Sequence, residues 1–426
     1  MSKVRELAVA LAATVMLASV PAETASLSAS QPGEVLYVGA LTSGTSRGIY
    51  AYRFDPASGS AVFLGLAAVI SNPSFLIASR DGRFLYAVSE GNAAAGKQGN
   101  TVSAFRIDSE TSQLVLINKV PSEGIGPCDL AVDRRGRVLL VANCGSGSVA
   151  LLPILPDGSL GDAAAMVQHH GSSLNPARQK GPHAHGLAVS PDDRFVLAAD
   201  LGTDQILLHP MNPSRRTLTA GDFQAPVVPG GGVRHIAFDP KGRFLYAIDE
   251  LDSAITVFRY SRGTLRKIQT LSAMPPGAPP GRGGSEVETD RSGRFLYASV
   301  RGDRNIVRVF SIDAQSGRLT PVQSISSEGK MPRHFALDPS QSWLAVANQN
   351  SHSIAWLRRD RDSGRLQSGP APSREVDSPA CIAFAAPRGK RKRAAGCRRG
   401  RAGTVDMRGF AKLSYRIIVL HIERVL

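Results

Sequence analysis

The sequence has only four cysteines in 426 residues, Cys128, Cys144, Cys381 and Cys397, and no C-x-x-C pair. That excludes a disulfide-stapled scaffold, a zinc ribbon and a thioredoxin-like redox site. No phosphate loop of the Walker form occurs either, so the sequence offers no nucleotide-hydrolysing motif. Long hydrophobic runs are also missing. The best candidate, Leu7 to Val20, has 14 residues, against the roughly 20 that a membrane-spanning helix needs. It follows Lys3 and Arg5 and leads into small residues at Ala22 and Ala25, which is the order of a secretory signal. Residues 1–25 are therefore expected to be a cleaved signal peptide, and the mature protein to be periplasmic or secreted with no membrane span.

An even spread of positive charge is lacking as well. The chain carries a formal +15, but residues 387–426 contain 12 Lys or Arg against Asp406 and Glu423. The remaining +5 suits solubility and does not form a phosphate-binding stripe, so nucleic acid is not an expected partner. Residues 387–426 are expected to be a basic tail too charged to order itself, dispensable for folding and activity. With 42% hydrophobic residues, the rest can build a large core.

What the sequence has in abundance is repetition. PSFLIASRDGRFLYAVSE (73–90), PCDLAVDRRGRVLLVANC (127–144), AHGLAVSPDDRFVLAADL (184–201), VRHIAFDPKGRFLYAIDE (233–250), SEVETDRSGRFLYASVRG (285–302) and PRHFALDPSQSWLAVANQ (332–349) share one design. An apolar run, a polar turn and a β-branched or aromatic run make a hairpin. A second strand pair follows each, so each unit has four antiparallel strands. The second-strand centres, Leu36, Leu85, Leu139, Val196, Leu245, Leu296 and Leu344, are spaced 48 to 57 residues apart. That spacing predicts propeller blades. The first copy, VLYVGA (35–40), lacks a preceding strand, while PACIAF (379–384) lacks a following one. An open solenoid would instead need capping repeats. The expectation is an all-β, seven-bladed propeller over residues 34–386, its last blade closed by the N- and C-terminal strands.

In plain antiparallel register, positions equidistant from a turn centre face each other. Arg234 then opposes Glu250, Ser285 opposes Arg301, His185 opposes Leu201 and Arg333 opposes Gln349. These pairs gather His185, Arg234, His235, Glu250, Arg301 and Arg333 at one end of the ring, a constellation suited to proton transfer and anion binding. The H-x-H of GPHAHG (181–186) is not expected to share a metal, because alternate strand residues point to opposite faces. Cys128 and Cys144 flank one turn symmetrically about Gly136, which allows a cross-strand disulfide after export.

The strings GPHAHGLAVSPDDRFVLAADLGTDQI (181–206), VRHIAFDPKGRFLYAIDELDSAITVF (233–258) and GKMPRHFALDPSQSWLAVANQNSHSI (329–354) resemble the lactonase family of seven-bladed propellers, from about Val35 to Phe384. That family includes 6-phosphogluconolactonases and a fungal muconate lactonizing enzyme. The resemblance implies that His185 in AHGLAV, Arg234 in VRHIAF, Glu250 in AIDEL and Arg301 in YASVRGD are the catalytic set. Val300 and Asp303 to Asn305 depart from the relatives' pattern around Arg301. The reading is a metal-independent enzyme without a cofactor that hydrolyses a sugar-acid or related lactone, or reversibly forms one. Arg234 and Arg301 clamp the anionic group, His185 and Glu250 exchange protons, and His183, His235 and Arg333 contact substrate. The expected partner is a small lactone or anionic sugar acid, and the sequence sets no oligomeric state. A non-catalytic exported propeller that binds a partner on its face is the rival reading, but a scaffold has no need for that polar set.

Overall fold

The computed structural model describes residues 33–278 and 281–385, and these form seven antiparallel sheets. Counted from the N-terminus, blade one is Pro379–Phe384, Glu34–Ala40, Gly48–Asp55 and Ser60–Val69, in that spatial order. Blades two and three begin at Leu76–Ala78 and Pro127–Val132, and blade four at Ala184–Val189. Blades five, six and seven begin at Val233–Phe238, Gly284–Thr289 and Pro332–Leu337. These first strands touch one another around the ring and line its centre. The predicted closure is present: Leu36 pairs with Phe384 and Ala40 with Pro379, so blade one is completed from both termini. The proposed signal peptide (1–25) and basic tail (387–426) lie outside the described residues.

The repeat in the sequence has a local cause. Asp133, Asp239, Asp290 and Asp338 each end a first strand, and each accepts the amide N–H groups four and five residues on. The carboxylate satisfies donors that the turn would otherwise orphan and so fixes the hairpin. Second strands such as Phe84–Ser89 and Trp343–Asn348 are buried at every residue. Both faces are covered by neighbouring blades, which is why these strands are continuously apolar instead of alternating.

Seven apolar clusters fill the structure, one between each pair of adjacent blades. The aromatic residue opening a second strand packs on a glycine in the next blade's outer turn, as Phe84 does on Gly158, Phe244 on Gly317 and Phe295 on Gly364. The same kind of contact joins blade seven to blade one. Trp343 lies over Gly59, whose φ is +78° and where an added Cβ would fall 2.2 Å from the ring, and its indole N–H donates to the carbonyl of Pro56 at 2.9 Å. The ring is therefore closed by side chains as well as by strand pairing. No helix among the described residues is long and apolar enough to cross a membrane.

Candidate active site

The first strands do not run in plain register. Val233 pairs with Asp249, but the next pair is His235 with Ile248, so Arg234 is an extra residue in the strand. The same β-bulge inserts Cys128, His185 and Arg333 in their blades. This corrects the rim pairing read from the sequence. The Glu250 amide donates to Gly232 at 2.7 Å, and Leu201 bonds to His183. Likewise Arg301 bonds to Gly283, and Gln349 to Met331. The cysteines are shifted too. Cys144 bonds to Gly126, Cys128 is displaced into the bulge, and both thiols are free, so the disulfide that plain register would allow is not formed.

A bulge breaks the alternation of side chains, so two consecutive residues turn toward one side. Arg234 and His235 are accordingly both buried at the centre of the ring. Close approach of blades four and five is permitted by Gly186, where a Cβ would lie 2.6 Å from the Arg234 carbonyl oxygen and 2.8 Å from His235 Cα.

The rim geometry converges on Glu250. Its carboxylate lies 2.9 Å from Arg301 Nη2, 3.3 Å from Arg234 Nε and 3.3 Å from Arg178 Nε. Arg234 also donates to the Ser285 carbonyl at 2.7 Å. Burial would raise the Glu250 carboxyl, but Arg234, Arg301 and Arg178 outweigh it and hold it down at about 2. Burial and Arg234 together bring Arg301 down to about 10. Glu250 is therefore a fixed anion in the unliganded site and not a proton donor, which narrows the proton-exchange role expected of it.

His185 is 5% exposed, and its Nδ1 is buried without a hydrogen-bond partner. Its ring lies 5.2 Å from that of His235, centroid to centroid. Burial, and after it the charges of Arg234 and its neighbours, hold the imidazole well below the usual histidine value. His235 itself is engaged with Glu286 at 3.0 Å, and His334 approaches the other Glu286 oxygen at 3.5 Å. Arg333 reaches across to Glu90 of blade two at 3.5 Å. His183 stands just ahead of the blade-four strand, with Nδ1 2.7 Å from the Cys144 carbonyl. A hydrogen bond from Cys128 pulls the Cys144 thiol down to about 6, with His183 and Arg178 adding to it against burial.

All seven residues expected from the sequence thus lie at one end of the ring. Arg178, Glu90 and Cys144 join them without having been singled out for the site. Arg178 sits in a loop that no repeat marks, and buried Gln179 pins this loop by donating to Leu201 O and Asp204 Oδ1 at 2.8 Å each. Glu90 and Cys144 close the second strands of blades two and three, the position that Glu250 holds in blade five, so alignment of the repeats could have found them. Concavities at the opposite, hairpin-turn end include one lined by Arg80, Arg83, Asp133 and Arg135, without His or Glu. The string Gly44-Thr45-Ser46-Arg47-Gly48 matches the letters of a nucleophile elbow. It is none: Ser46 is buried in a strand-connecting loop and donates to the Asp377 carbonyl.

Four guanidinium groups, of Arg178, Arg234, Arg301 and Arg333, against the three carboxylates of Glu90, Glu250 and Glu286 leave this mouth cationic, beside the buried, neutral imidazole of His185. Residues 35–384 match the sequence model of a family described as lactonase, 7-bladed beta-propeller. The chain is 32% identical to a 6-phosphogluconolactonase of Bacillus subtilis over 82% of its own length and 97% of the relative's. It is 31% identical to one of Formosa agariphila, over 79% and 95%. Among solved structures it is similar to the periplasmic gluconolactonase of Pseudomonas aeruginosa, at 36% identity and a TM-score of 0.78, covering 83% of this chain and 99% of that one.

Proposed function

Because the chain belongs to the lactonase family of seven-bladed β-propellers, we propose that it is an exported hydrolase that opens the ring of a sugar-acid lactone without a metal. The observation that carries this reading is the Glu250 carboxylate set among Arg178, Arg234 and Arg301 beside His185. Ring opening creates an oxyanion and then a carboxylate, and a preassembled guanidinium cluster in a largely buried site stabilises both. His185 takes a proton from the attacking water as its oxygen bonds to the carbonyl carbon. The acyl carbon–ring oxygen bond then breaks, and the proton passes to the leaving ring oxygen. Glu250 keeps Arg234 and Arg301 aimed at one point until substrate arrives. Export is supported by the order of Lys3, Arg5, the apolar Leu7–Val20 stretch and Ala22–Ala25, and by likeness to a periplasmic relative. A lactone without phosphate is the substrate that such a compartment favours.

Hydrolysis of gluconolactone and its 6-phosphate by the purified protein tests the reading. His185→Gln should lower kcat by about 10²- to 10⁴-fold, the range for a lost general base. Arg301→Met should act mainly on KM. Normal turnover in His185→Gln with a lowered melting temperature would reduce these groups to rim structure and end the assignment.

A further inference from the structure

We propose that Cys128, Cys144 and His185 form a binding site for a thiophilic d10 cation, with Zn2+ as the probe, inside the arginine-ringed mouth. One ligand atom from each, two sulfurs and a ring nitrogen, lie within 4.8 Å of one another. In a tetrahedral set with Zn–S of about 2.3 Å and Zn–N of about 2.0 Å, neighbouring ligand atoms sit about 3.5–3.8 Å apart, so small side-chain rotations close the site. The fold supplies the convergence. Cys128 and His185 are the bulge residues of adjacent first strands, and Cys144 follows the second strand of blade three.

Cys144 also faces His183 and Arg178, but the other two ligands have little else to hold them. His185 Nδ1 is buried and unpartnered, a costly state for a polar atom. Apart from its bond to Cys144, itself one of the three ligands, the Cys128 sulfur has only long contacts to the carbonyls of Ala184 and His185, at 3.8 and 3.6 Å. Two sulfurs and an imidazole suit Zn2+ or Cu+ over the hard cations, which prefer oxygen. Two thiolates cancel the charge of a zinc ion, so the filled site is neutral beside Arg178 and Arg234. Three protein ligands leave a fourth position open. Occupation also engages the imidazole that hydrolysis needs free, so the cation inhibits the enzyme. That consequence, unlike the site itself, rests on the function proposed above.

Co2+ titration of the full chain tests the site, with Cys397→Ser to remove the tail thiol and a phosphine reductant present. One equivalent should give an intense thiolate-to-cobalt charge-transfer band that Zn2+ abolishes. Cys144→Ala should lose both the band and saturable Zn2+ binding, and the turnover that it retains should resist Zn2+. Absence of the band in the parent protein, or its survival in Cys144→Ala, overturns the proposal. Binding with undiminished turnover would keep the site and instead remove His185 from the role of base.

Discussion

At the residue scale, the charges of the mouth are held by contacts of unequal quality. Glu250 is matched by three arginines, whereas its neighbour Asp249 is fully buried and neither carboxylate oxygen has a hydrogen-bond donor in good geometry. Burial first, then Asp252 and Asp204, push the Asp249 carboxyl well above its ordinary value. The folded state therefore holds this proton more tightly than the unfolded chain, where it leaves near pH 3.9. The stabilisation is complete below that value and is lost as pH rises toward the folded one. Asp249→Asn removes this dependence. Its melting temperature relative to the parent should climb as pH rises from about 5 through neutrality. A difference that is flat across that range would mean Asp249 is ionised in the fold.

At the scale of the element, one recurring device decides the site. A bulge at the second residue of the first strand turns Cys128, His185, Arg234 and Arg333 toward the channel and shifts every rim partner. The sequence showed which residues share an end of the ring, because strand starts and strand ends follow from the hairpins. It could not show the bulge, since an extra residue changes pairing without changing composition. The contact at Gly186 tests the argument. Gly186→Ala places a methyl group against backbone of blade five, which cannot rotate away. It should cost about 1–3 kcal/mol of stability. Melting curves and kcat/KM should fall together, since the first strands of blades four and five carry His185 and Arg234. Unchanged kcat/KM would show that the spacing of these strands does not set the site.

For the whole molecule, closure is the central energetic event. The pairing of Leu36–Ala40 with Pro379–Phe384 removes a sheet edge that would otherwise template aggregation, and Trp343 over Gly59 seals the same junction. A chain ending at Asp377 should aggregate or melt far below the parent. One ending at Pro387 should keep both melting temperature and activity, because it retains the closing strand. Equal melting of the two chains by calorimetry would mean that blade one stands without its C-terminal strand.

The sequence by itself determined the blade count, the antiparallel hairpins, the shared closing blade and the end of the ring at which His185, Arg234, Glu250 and Arg301 meet. All of these follow from periodicity and strand order, which are local properties of a chain. Only the tertiary structure decided who touches whom: Arg178 on Glu250 from an unmarked loop, His235 on Glu286, and Cys144 beside Cys128 and His185 but not bridged. Those contacts join different blades through the bulges and the central packing, and a repeat read along one strand carries no measure of the distance between blades.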